Sequence, residues 1–402
     1  MESRPALRPV PAADIDVGSA PQLVDRIREE IVRDGPVTFA RFMDLALYDP
    51  ADGYYRSADV RPGRPGDFLT APETHPIFGW ALARQVEDVW QRLGRPAPFV
   101  VREHGAGAGT LAEAVLGRLR RDGSTLVDVV RWQPVEVDGR RVDELVARLS
   151  AAGFGTAVEA PANRPFGGVV LANEVLDALP VHRLVQRGPH LCEVLVGWVD
   201  GRFVDVEAEP STRALPERLR DEGVELVDGQ QAEVCLTVER WITAAAAPLR
   251  EGLLLLVDYG WPARELYDPV RRRHGTLRAY VRHRVHDDPY RNVGRQDLTA
   301  HVDVTAVERA TGAAGLAHLG TTSQAEFLTA LGAGELLRSL QEDGGTTLQA
   351  YLEARAALGR MLDPAATGRF QVMAFGRGLT REPPLRGLSF RLEPATRTLR
   401  VP

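Results

Sequence analysis

The sequence predicts an α/β fold with a mainly parallel sheet and added helical segments. Three observations predict it. Between Phe99 and Asn173, apolar strand-like runs alternate with helix-like stretches in the order β-α-β-α-β. The glycine series Gly105, Gly107, Gly109 stands between the first of these strands and the helix after it. The run from Gly252 to Asp258 is almost wholly apolar, as a central parallel strand buried on both faces requires.

From the amino terminus, Leu23, Ile27 and Ile31 recur at helical spacing, and Gly35-Pro36 stops that helix. A second helix is expected from Phe39 to Leu47. Tyr48 to Glu73 is rich in turn residues, the signature of a long functional or disordered loop. A helix from about Pro76 to Leu93 follows. The alternating region then offers strands at Phe99–Val101, Val127–Val137 (ending at Glu136) and Gly168–Ala172, with helices carrying Leu111, Val115, Leu119 and covering Val142–Leu149. Val194 to Val206 reads as a hairpin turning at Asp200-Gly201, and Ala232 to Leu249 as a helix. After the Gly252–Asp258 strand come a basic, aromatic segment, further helices and a last strand at Phe370–Phe375. The expected organisation is a disordered tail (1–20), a helical segment and loop (21–95), and a cofactor-binding core (96–265) with an insertion near 190–245. A carboxyl-terminal part (266–402) completes the core and the substrate cleft.

The chain has 402 residues, 44% of them hydrophobic, and a net charge of −6. That balance argues against a general nucleic-acid binder. Every basic residue is arginine, so mechanisms built on a catalytic lysine are excluded. Cys192 and Cys235 cannot form a disulfide framework and suit a reducing compartment. The first twenty residues lack the apolar run of a secretory signal, and the longest apolar strip, Leu253 to Val257, is far too short to cross a bilayer. No metal-binding histidine pair or nucleophile elbow is present. A cytoplasmic protein without membrane, nucleic-acid or metal partners is therefore expected; its oligomeric state is open.

The chemistry-bearing residues gather at predicted strand ends. Glycines let the chain turn tightly beside a ligand, and the helix that follows offers free N–H groups. The spacing G-x-G-x-G differs from the dinucleotide pattern. Glu103, two residues before the first glycine, would repel a pyrophosphate but suits a cationic ammonium such as that of a methionine moiety. Thr110 opens the helix. Glu136 stands where an acid can accept both ribose hydroxyls, although an exposed strand-end carboxylate is the plainer reading, with Asp138 a nearby alternative. Asn173, Glu174 and Asp177 follow another strand. On a helical turn the two acids would share a face and could grip a guanidinium; equally, Asn173 could be a helix cap with Glu174 in the first turn. The basic run from Arg271 to His286 reads as a solvated loop or as an electrostatic lid over an acidic site.

Together these motifs resemble the MidA family of methyltransferases, whose mitochondrial members assist respiratory complex I assembly. The likeness rests on GPVTFARFMDLALYDPADGYY, GDFLTAPE, EHGAGAGTL, PVEV, LANEVLDALPVHR, LLLLVDYG, GTLRAYVRHR, DLTAHVD and SQAEFLTALG, in that order, and spans roughly Ile27 to Phe375. It implies a Rossmann-like core, S-adenosylmethionine as cofactor and a protein arginine side chain as acceptor. By position it puts the cofactor at Gly105, Gly107, Gly109 and Glu136 and the substrate at Asn173, Glu174 and Asp177. It also brings in Asp67 and Thr70 from GDFLT, and His301 and Asp303 from LTAHVD, with His301 as a proton acceptor or a loop-ordering residue. The chain departs from the family in reading HGAGAG at the glycine loop, PVEVDGRR after the second strand and DLTAHVDV near His301. A small-molecule acceptor, or a cofactor-binding assembly role without catalysis, are the alternatives.

Overall fold

The computed structural model describes residues 16–56, 74–282, 284–342 and 344–392. Its centre is a six-stranded sheet. In chain order the strands are β1 (Phe99–His104), β2 (Val130–Val135), β3 (Phe166–Asn173), β4 (Leu249–Asp258), β5 (Ala317–Ser323) and β6 (Gln371–Arg377). They lie side by side in the order β5-β6-β4-β3-β1-β2. The first four are mutually parallel, while β6 runs antiparallel to β4 and β5 antiparallel to β6.

Alternation along the central strands explains why they read as continuous apolar runs. Val101, Leu171, Leu253 and Leu255 face one core, packed by the helices Ile77–Arg92 and Thr110–Arg121. Val100, Val170, Leu254 and Leu256 face another, packed by the helices Val238–Ala246 and Val304–Ala313. Each strand therefore buries both of its faces, and each fully buried aliphatic side chain contributes roughly 1.5–3 kcal/mol.

A second sheet has five strands. His182–Arg187 lies between His190–Val199 and Gln231–Val234, while Val37–Thr38 and Arg202–Ala208 both pair with His190–Val199. The expected hairpin turn is present: Asp200 and Gly201 have φ of 49° and 78°, as a two-residue turn between twisted strands demands. The single helix expected from Ala232 to Leu249 is not. Gln231–Val234 pairs with His182–Val185, the helix is confined to Val238–Ala246, and Leu249 already opens β4. Cross-strand pairing has overridden the helical pattern there.

The helices Pro21–Asp34 and Phe39–Tyr48 pack through Leu23, Ile27, Phe42 and Leu47 into a core shared with Val196, Phe203 and Leu298. This packing carries the chain from Tyr48 to Tyr55 over the carboxyl ends of the main sheet. Part of the basic segment forms a small sheet in which Arg278–Val281 pairs with Arg284–His286 and Asp297–Thr299.

Candidate active site

In an open parallel sheet, ligands lie beyond the carboxyl ends of the strands. Here β1, β2, β3 and β4 end level with one another, His104 beside Val135 and Ala172, and Asn173 beside Val257. A cleft opens at these ends. Among its lining residues are Glu103, Gly105, Gly107, Thr110, Glu136, Asn173, Glu174 and Asp177. Tyr48, Tyr54 and Tyr55 from the amino-terminal segment, with Tyr259, Tyr280 and Asp297, complete the wall.

The turn is left-handed at each of its three glycines, with φ of 67°, 53° and 81° at Gly105, Gly107 and Gly109. The three glycines do different work. A side chain at Gly105 would strike Val175 Cγ2 at 2.8 Å, while one at Gly107 would meet nothing within 4 Å. Gly109 caps the helix Thr110–Arg121 and does not line the cleft; a Cβ there would sit 2.7 Å from Leu145 Cγ, so its role is to let two helices pack closely.

Carboxylates dominate the floor. Glu103, at the end of β1, is buried and accepts a hydrogen bond from Trp132 Nε1 at 2.9 Å; burial pushes its carboxyl up to about 8. Glu136 lies just beyond β2. Its Oε1 accepts from the Gly107 amide at 2.7 Å and its Oε2 from Val137 at 3.0 Å, yet burial still raises it above the ordinary range. Two polar atoms of cleft-lining residues, Asn173 Oδ1 and His104 Nε2, are buried without a hydrogen-bond partner among the described residues.

Glu174 and Asp177 are not on a helix. Residues 174–179 form a turn, with Glu174 at a positive φ of 53°. The turn is held by Asp258, the last residue of β4. Asp258 Oδ2 accepts from the amides of Val175, Leu176 and Asp177 at 3.2, 2.9 and 3.3 Å. Three converging N–H donors make a small anion nest. Helix capping by Asn173, one of the readings left open by the sequence, is thereby excluded. Asp177 is buried, and burial, with Asp258 and Asp297 nearby, holds its carboxyl well above the usual range.

The aromatic wall is fixed by its hydroxyls. Tyr55 Oη donates to Asp297 Oδ1 at 2.8 Å, Tyr48 Oη to the Ala178 carbonyl at 3.0 Å, and Tyr259 Oη contacts Thr299 Oγ1 at 2.7 Å. Burial pushes all three phenols well above their normal range, so they stay neutral.

His301 stands apart from the cleft. It lines a separate small cavity with Leu176 and Asp303, and its ring sits edge-on to Tyr259 at 5.2 Å. Burial, then Arg272, Arg369 and Arg278, drive the imidazole down to about 3. A base that weak takes up no proton near neutral pH. Asp303 caps the helix Val304–Ala313 by accepting from the Ala306 amide at 3.1 Å. Asp67 and Thr70 lie outside the described residues.

The sequence reading missed Asp258, His104, Asp297 and the tyrosines. Asp258 had a readable signal, an acid closing a buried apolar strand. The tyrosines had none, because the segments carrying Tyr48, Tyr259 and Tyr280 meet only through the tertiary fold.

Residues 81–322 match the protein family described as "Putative S-adenosyl-L-methionine-dependent methyltransferase". Among curated proteins, the Drosophila melanogaster protein arginine methyltransferase NDUFAF7 homolog, mitochondrial, is 29% identical over 89% of this chain and 85% of its own length. The Mus musculus protein arginine methyltransferase NDUFAF7, mitochondrial, is 30% identical over 77% of this chain and 74% of its own. A Burkholderia thailandensis superfamily member, crystallised with S-adenosyl-homocysteine, superimposes with a TM-score of 0.80 at 33% identity, covering 91% of this chain and 94% of that one. The expectation of a cytoplasmic location is overturned by the curated relatives, whose names place them in mitochondria. Strand order, strand-end cleft and sequence likeness converge: this chain belongs to the S-adenosylmethionine-dependent methyltransferase family that its residues 81–322 match, with S-adenosylmethionine as its cofactor.

Proposed function

We propose that the enzyme methylates an arginine side chain of a protein substrate, and that the acidic, tyrosine-walled end of the cleft is the guanidinium site. The observation that carries this reading is the pair Glu174 and Asp177, both lining the cleft on a turn pinned by Asp258. The relatives named as protein arginine methyltransferases support it.

The glycine-loop side of the cleft fits the cofactor. Glu136 stands where a carboxylate can accept ribose hydroxyls, Gly107 leaves the loop surface open, and Glu103 matches a cationic group. The unpartnered Asn173 Oδ1 and His104 Nε2 supply further polar positions. When bound, S-adenosylmethionine supplies a methyl already activated on a sulfonium. The protein's own part is then positioning and charge. Arginine stays protonated at neutral pH, so a guanidinium entering here meets carboxyl groups fixed in position in advance. Glu174 orients the fork; the incoming guanidinium charge draws the proton from Asp177, whose carboxyl burial holds well above its usual range, to solvent, and the carboxylate so formed accepts the proton that the nitrogen gives up on methylation.

Glu174→Gln tests this. Single-turnover methyl transfer at saturating cofactor should fall roughly a hundredfold, the scale of losing one preorganised electrostatic partner, with cofactor affinity nearly intact. Unchanged turnover removes Glu174 from the guanidinium site; lost cofactor binding moves it to the cofactor end.

A further inference from the structure

Asp297 lines the cleft from a different piece of chain than the Glu174–Asp177 turn. It opens the strand Asp297–Thr299 and lies directly opposite Tyr280 of Arg278–Val281. Side chains alternate between the two faces of a strand. Leu298 and its cross-strand partner Ala279 are buried in the amino-terminal core, so Asp297, Thr299 and Tyr280 share the other face, and all three line the cleft.

Short contacts tie Asp297 to the turn. The amide of Ala300, next after this strand, donates to the Asp177 carbonyl at 2.9 Å. Thr299 Oγ1 contacts Tyr259 Oη at 2.7 Å, and Tyr259 follows Asp258, which pins the turn. The rings of Tyr48 and Tyr55 stack with centroids 5.5 Å apart. Tyr48 donates to the Ala178 carbonyl at 3.0 Å and Tyr55 to Asp297 Oδ1 at 2.8 Å, so one stacked pair spans from the turn to Asp297. The Tyr55 bond takes one of the roughly four lone-pair positions that a carboxylate offers. Acids drawn together in this way repel one another: burial, then Asp258 and Asp297, hold the Asp177 carboxyl well above its usual range. A cation entering between them relieves that repulsion.

We infer that Asp297 is a substrate-binding residue that accepts hydrogen bonds from the acceptor's guanidinium, which is thereby held between Asp297 and the Glu174–Asp177 turn. The assignment rests on the arginine reading of the cleft. A guanidinium carries five N–H donors in a rigid plane, more than a single carboxylate can meet, and a second acid takes up donors that the first leaves over. An ammonium is a compact point charge and gains less from two separated acceptors. Asp297 therefore favours arginine over lysine as acceptor.

The test titrates the full chain, saturated with S-adenosylhomocysteine, with n-butylguanidinium and separately with n-butylammonium, followed by ligand-detected NMR. The unaltered enzyme should bind the guanidinium severalfold tighter than the ammonium. Asp297→Asn keeps the size of the side chain and an oxygen for Tyr55. It should weaken guanidinium binding about tenfold, the scale of one charge-assisted contact, and bring the preference to near one with S-adenosylhomocysteine affinity unchanged. Asp297→Ser should behave alike, and replaces it if Asp297→Asn fails to bind S-adenosylhomocysteine. Tyr55→Phe keeps the ring and should weaken the guanidinium less than Asp297→Asn does. Equal losses in Tyr55→Phe and Asp297→Asn would mean that Asp297 acts only by holding Tyr55, and would overturn the contact. Guanidinium binding that Glu174→Gln weakens and Asp297→Asn does not would also overturn it, with the arginine reading left standing. No preference for the guanidinium in the unaltered enzyme overturns the proposal as well; methylarginine formed in lysate protein would then show that the arginine reading survives, and its absence would remove both.

Discussion

Asp258 Oδ2 accepts the Leu176 amide at 2.9 Å, and the amides of Val175 and Asp177 converge on the same oxygen. Through this nest, the end of the strand that runs alongside β3 dictates where Glu174 and Asp177 point. Asp258→Ala leaves several buried donors unmatched and should lower stability by about 3 kcal/mol, with methyl transfer falling further than stability alone explains. Asp258→Asn keeps an oxygen acceptor and should lose less of both. Urea unfolding and single-turnover transfer measure the two effects; a loss below about 1 kcal/mol for the alanine variant would show the nest to be ornamental.

Gly107 and Gly109 separate ligand from packing. Gly107→Val projects into open space beside the cleft, so despite the strain of a β-branched residue at a φ of 53° the variant should still fold, at a somewhat lower Tm, while losing the rise in Tm that S-adenosylhomocysteine produces. Gly109→Val drives a side chain into Leu145 and should lower the Tm of the free protein itself, by several degrees. Thermal shifts with and without ligand distinguish the two; a full ligand shift in Gly107→Val would remove the glycine loop from the cofactor site.

If Glu103 receives the cofactor's cationic group, as proposed, cofactor affinity should depend on pH. Its carboxyl lies at about 8 in the free protein, so it is largely protonated at pH 7. A bound cation favours the ionised form and lowers that value, so binding must release a proton. Affinity should therefore weaken as pH falls below about 8, by up to tenfold per unit, and level off above it. Calorimetry in buffers of different ionisation enthalpy should show nearly one proton released at pH 7. Glu103→Gln should bind with no such dependence; the same pH slope in that variant would assign the proton to another group.

Much of this was legible in the sequence, and the rest failed for identifiable reasons. Gly105, Gly107 and Glu136 could be placed because a strand followed by glycines and then a helix has few local alternatives. Glu174 and Asp177 were located correctly at a strand end, but their spacing suggested a helix. The hydrogen bonds from a strand some eighty residues later impose a turn instead. The helix expected from Ala232 failed for a related reason: its first residues found a partner strand, and pairing outweighed periodicity. Gly109 and His301 carry motif-like positions, yet one serves helix packing and the other sits behind Tyr259. The tyrosine wall is assembled from segments some two hundred residues apart, which no local pattern encodes.

The identity of the methylated atom tests the central claim most directly. Purified enzyme is incubated with methyl-labelled S-adenosylmethionine and a protein lysate cleared of small molecules, and the labelled protein is hydrolysed to amino acids. The account predicts label in methylarginine, abolished by excess S-adenosylhomocysteine and reduced roughly a hundredfold in rate by Glu174→Gln. Label in another amino acid, or transfer that occurs only when the small-molecule fraction is restored and then enters an extractable phenol or enol, would contradict it.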